Sequence, residues 1–115
     1  MMKAVMDAPY IVVLVTVPDR ELAQSIADAL VQERWAACVN ILPSIHSIFH
    51  WQGDIAREEE VLLLAKSRRE LFPALALRVK ELHSYTLPEI IALPILEGSE
   101  EYLQWVKEST HNFES

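Results

Sequence analysis

Glycine is nearly absent from this chain: of 115 residues only Gly53 and Gly98 are glycine. That excludes every phosphate-cradling loop built on glycine-rich turns. There is one cysteine, Cys38, so no disulfide forms within the chain, and a reducing compartment, the cytoplasm, is the expectation. No apolar run approaches the length of a membrane span, and the N-terminus lacks the basic start and long apolar core of a secretory signal. Basic residues are also scarce. Ten Lys and Arg stand against 17 Asp and Glu, a net charge of −7, which argues against nucleic acid or an anionic membrane as partner.

What is present is a core. Hydrophobic residues make up 51% of the chain and charged residues 23%, a balance that folds as one domain. Met1 to Pro9 reads as a flexible arm, and residues 10–115 as the domain. Tyr10 to Val17 is a continuous β-branched run, the pattern of a strand buried on both faces. Pro18 and Asp19 then open a helix, proline at its first position and aspartate at its positive end. Leu22, Ile26 and Leu30 give that helix one apolar stripe.

A second strand begins at Trp35, is interrupted by Pro43 and resumes from Ser44 to Trp51, with Ile45, Ser47, Phe49 and Trp51 on one face. The turn Gln52-Gly53-Asp54 returns it as a third strand, Ile55 to Ser67, forming a long antiparallel hairpin. A second long helix spans Arg69 to His83, with Pro73 in its first turn. A strand follows Pro88. Gly98 ends it, and Ser99 caps a short last helix.

The order β-α-β-β-α-β plus a terminal helix is a ferredoxin-like α+β plan, the split βαβ motif. Right-handed crossovers put both long helices on one face of an antiparallel sheet. The other face is apolar, and nothing in the chain is long enough to cover it. Such a patch implies an obligate oligomer packed sheet against sheet.

Several motifs occur in order along this plan: Val15-Thr16-Val17-Pro18-Asp19, Ala36-Ala37-Cys38-Val39-Asn40, Trp51 with Gly53, Glu60 ahead of Lys66-Ser67, and His83-x-Tyr85-x-x-Pro88-Glu89. With them the sequence resembles the CutA divalent-cation tolerance family, from about Val12 to Val106. The resemblance implies a homotrimer similar to the PII signalling proteins, its three sheets facing one another. It also implies a role in divalent-metal tolerance, with copper or another divalent cation as ligand. Where copper-binding members of the family place a thiol and a second histidine, this chain has Val15 and Leu82; where the family usually has proline after the histidine, it has Ser84.

The metal-ligand candidates are His83, Glu89 and Cys38. Imidazole suits Cu(II), but His83 also ends a helix, where it meets the dipole, and the capping role is the favoured one. Cys38, in an apolar strand, reads first as an inert core thiol. Glu89 is a ligand, an ion-pair partner for Lys66 or an exposed residue at the start of a strand. Trp51, Lys66 and Tyr85 are the candidates for a cleft between subunits, Tyr85 with its hydroxyl reaching across the boundary. Binding of a small ligand or partner protein there is the alternative function. Glu58-Glu59-Glu60 reads as a solvated acidic run, and His111 as part of a frayed tail. His46 and His50 share a strand face but lie about 13 Å apart, too far to chelate together. No nucleophile, base and orienting group come together in the pattern, so no enzyme is expected.

Overall fold

A computed structural model of the chain describes residues 7–112. Strand β1 (Tyr10–Val17) leads into helix α1 (Arg20–Gln32), followed by β2 (Cys38–Trp51) and β3 (Asp54–Arg68). A 3₁₀ turn (Arg69–Leu71) opens helix α2 (Phe72–Leu82), and β4 (Ile90–Pro94) and helix α3 (Glu100–Ser109) complete the chain. The sheet order is β2-β3-β1-β4, and each neighbouring pair is antiparallel.

Local chemistry explains the boundaries. Asp19 is the N-cap of α1, its Oδ1 accepting from the Leu22 N–H at 2.8 Å, so Pro18 stands just outside the helix rather than at its first position. Residues Trp35 to Ala37 lie outside the strand expected to begin there. At the hairpin tip Gln52 (φ 50°) and Gly53 (φ 85°) both occupy the left-handed region, as a two-residue turn matched to strand twist demands. Pro73 sits in the first turn of α2, where its missing N–H costs nothing.

Pro43 does more than interrupt β2. Leu42 pairs with Leu62 but Ile45 pairs with Glu60, so one extra residue bulges out there. The bulge moves Ile45, Ser47, Phe49 and Trp51 onto the face that Leu42 shares with Leu62.

Period-two alternation divides the sheet. Ile11, Val13, Val15 and Val17 are buried against Ala23, Ile26 and Leu30 of α1 and Leu75 and Val79 of α2. Both long helices therefore cover one face, and each fully buried leucine contributes on the order of 2 kcal/mol. Val12 and Leu14 point the other way, Val12 paired with Lys66 and Leu93, Leu14 with Leu64 and Ile91, and Leu62 follows Leu64 on the same face. Ile91 is 49% exposed and Leu93 50%. Beyond Val17 no part of β1 pairs with β3, so the distal β2–β3 hairpin projects as a two-stranded ribbon. It carries Ile48, 68% exposed, and Trp51, 43% exposed.

The open face is not wholly bare. Arg68 lies on it by alternation with Lys66 and Leu64, and its Nε donates to Thr110 Oγ1 at 2.9 Å while its Nη2 donates to the His111 carbonyl. The end of α3 is therefore tied down over one end of that face, with Val106 buried beneath it. His111 does not fray: its N–H donates to the Arg34 carbonyl at 2.8 Å, and its ring stacks on Trp35 with centroids 5.2 Å apart. Of the expected N-terminal arm, Met1 to Met6 lies outside the described residues. Ala8 is buried, and the Pro9 carbonyl accepts from the Arg69 N–H at 2.8 Å.

Candidate functional site

The motif His83-x-Tyr85-x-x-Pro88-Glu89 joins α2 to β4, and folding brings its polar groups against the end of β1 and the middle of β3. His83 is the C-cap of α2, its backbone N–H donating to the Val79 carbonyl at 2.8 Å. Its ring does not turn back to the helix carbonyls as a dipole cap would. Nε2 lies 2.7 Å from the Thr16 carbonyl, and Nδ1 accepts from the Tyr85 N–H at 3.1 Å. A carbonyl only accepts and an amide N–H only donates, so this pair of partners requires the neutral ring protonated at Nε2.

Tyr85 continues the chain of contacts. Its ring centroid lies 4.7 Å from that of His83, and its hydroxyl donates to Glu60 Oε2 at 2.7 Å. The expected partner across a subunit boundary is thus found within the same chain. Burial, and next the carboxylate of Glu60, raise the Tyr85 phenol well above its ordinary value, so it remains the donor.

Glu60 itself corrects the reading of the acidic run. Glu58 and Glu59 are exposed, but Glu60 is only 6% exposed. A buried carboxylate is tolerated only when hydrogen-bonded, and Tyr85 supplies that bond. The sequence carried one signal of this, since Glu60 adjoins the apolar run Val61 to Ala65.

The other candidates lie elsewhere. Glu89 is exposed just ahead of β4, whose first residue, Ile90, pairs with Val15, at the His83 end of the sheet. Cys38 pairs with Lys66, which pairs with Val12, four residues along β1 from Thr16 and so about 13 Å away at strand rise. One subunit therefore does not bring Cys38 to His83. The same spacing separates Lys66 from Glu89; the Lys66 ammonium instead donates to the Asn40 side chain. Cys38 neighbours Tyr102 of α3, whose phenol is raised first by burial and then by that thiol. Trp51 stands at the hairpin tip. Among the described residues, no group of three His, Cys, Asp or Glu is placed to hold a metal ion. Among the described residues no helix is long and apolar enough to cross a membrane.

Known proteins share this sequence pattern and this fold. Residues 11–109 match the family model described as CutA1 divalent ion tolerance protein. The chain is 58% identical over 99 residues to the divalent-cation tolerance protein CutA of Thermus thermophilus, spanning 86% of this chain and 96% of that one. It is 49% identical over 104 residues to the chloroplastic protein CutA of Arabidopsis thaliana, covering 90% of this chain but 57% of that longer protein. The crystal structure of CutA1 from Oryza sativa superposes with a TM-score of 0.89 at 46% identity, over 91% of this chain and 96% of the other. The family is named for ion tolerance and is not a known enzyme family. This chain belongs to the CutA1 divalent ion tolerance family.

Proposed function

We propose that the protein acts as a homotrimer in tolerance to divalent cations and takes Cu(II) in the cleft between subunits, without catalysing a reaction. The observation that carries the reading is the open sheet face, where Ile91 and Leu93 are half exposed beside Val12, Leu14, Leu62 and Leu64. Burying that face against two further copies removes an apolar patch that would otherwise aggregate. The projecting ribbon with Ile48, Phe49 and Trp51 reaches past the body of its own subunit and fits a neighbour in the same assembly.

Within this reading His83 and Glu89 are the ligands one subunit brings, and Cys38 joins them only from another subunit. Copper competes with the Tyr85 N–H for the Nδ1 lone pair, at the cost of one hydrogen bond, about 1 kcal/mol. The single thiol supports a reducing compartment, the cytoplasm.

A second reading rests on that same ring. Both His83 nitrogens are already engaged within the chain, which suits a structural clasp beside a cleft that binds a small ligand or partner protein through Lys66. Equilibrium dialysis of Cu(II) and Zn(II) against the purified oligomer separates the two. Saturable binding that His83→Ala abolishes, at unchanged oligomer size, supports the metal site. Absent binding, or binding indifferent to His83→Ala, overturns it in favour of the small-ligand cleft.

A further inference from the structure

At the end of the subunit away from His83, a cleft of about 860 Å³ opens between the start of β1, the end of β3 and α3. Its size falls within the range of small-molecule sites. In a chain of net charge −7, this wall is locally cationic: Arg68, Arg69 and Lys107 line it against Asp7 and Glu70. Glu70 is already held by the Arg68 guanidinium.

The donors are not used up. Arg68 is buried, and its three bonds, to Thr110, Glu70 and the His111 carbonyl, occupy three of the five N–H groups a guanidinium offers. Arg69 is exposed, and among the described residues neither its side chain nor that of Lys107 has a hydrogen bond or ion pair. Pro73 also lines the cleft, in the first turn of α2, and that helix start has no side-chain cap. Its positive end therefore adds to the same field. Pro9, Tyr10 and Pro73 supply a flat apolar wall beside the cations.

We propose that this cleft binds a small phosphate-bearing molecule, its phosphate held by Arg69, Lys107 and the free N–H groups of Arg68, its organic part against Tyr10 and the prolines. Arg68 at the end of β3, Arg69 in the 3₁₀ turn and Lys107 on α3 line the same cleft, and three cations suit the several oxygens and double charge of a phosphate better than a planar carboxylate. The site stands apart from the His83 cleft and does not depend on how that cleft is used.

The test is isothermal titration of the intact oligomer with AMP and, separately, with inorganic phosphate, at low and at physiological salt. Saturable binding is expected, weaker at higher salt. It is expected to weaken about tenfold or more in Arg69→Gln/Lys107→Gln, as charge-assisted bonds are lost, and to stay unchanged in Lys80→Gln. Both substituted side chains are exposed, and Arg69→Gln alone, with an intermediate loss, guards against a folding artefact. Binding of AMP alone supports an organic phosphate; binding of both supports recognition of the phosphate itself. No saturable binding of either, or binding indifferent to the double substitution, overturns the proposal.

Discussion

The hydroxyl of Tyr85 donates to the buried carboxylate of Glu60 across 2.7 Å, joining the loop before β4 to the middle of β3. Removing that hydroxyl strands an acceptor that burial has cut off from water. Tyr85→Phe is therefore expected to destabilise the fold by about 1–3 kcal/mol, read as a lower denaturant midpoint at unchanged slope. Adding Glu60→Gln should recover part of the loss, because a neutral amide is cheaper to bury unpaired. A midpoint unmoved by Tyr85→Phe would mean that water already solvates Glu60.

The same pair sets a pH dependence. The phenol of Tyr85 is raised in the folded state by burial and by Glu60 from its ordinary 10.0, so above that value the unfolded chain holds fewer protons than the folded one. Stability from this group is complete below about pH 10 and falls as pH rises beyond it. Alkaline denaturation followed by circular dichroism should show a steeper loss in the wild type than in Tyr85→Phe. Equal slopes would contradict the linkage.

Arg68 fastens the end of α3 through Thr110 and His111. Arg68→Leu keeps much of the bulk but removes these bonds, and is expected to cost about 2–3 kcal/mol, as charge-assisted bonds do. Amide exchange at Thr110 and His111 should accelerate more than exchange at Val13 or Leu63. Uniform acceleration would mean that α3 is no separate unit.

The open face makes a different kind of prediction. Ile91→Asp places a charge where a second copy is expected to pack, but leaves the helix-covered core of Val13, Leu63 and Leu75 untouched. The substituted chain should keep its far-ultraviolet circular dichroism and run as a monomer in gel filtration. An oligomer of unchanged size would show that this face is not the interface.

Much of this architecture was legible in the residues. The unbroken apolar run from Ile11 to Val15, the turn at Gln52-Gly53 and the stripe Leu22, Ile26, Leu30 each announce an element, because period and turn chemistry are local. The uncovered sheet face was equally plain, since alternation assigns Ile91 and Leu93 to it without reference to anything distant. The contacts of the candidate site were not. Alternation says on which side of β3 Glu60 points, but its burial depends on Tyr85, 25 positions away. The acidic run therefore looked solvated throughout. His83 was placed correctly at a helix end, yet its ring bonds Thr16, 67 positions earlier, a pairing that no local pattern encodes. The anchoring of His111 by Arg68 and Arg34 was hidden for the same reason.

The central claim is that the open sheet face is buried between three copies of the chain, and sedimentation equilibrium of the purified wild-type protein at micromolar concentration tests it most directly. The account predicts a single species of three times the chain mass, with no monomer on dilution through that range. A stable, soluble monomer would contradict it, because Val12, Leu14, Ile91 and Leu93 would then face water with nothing to cover them.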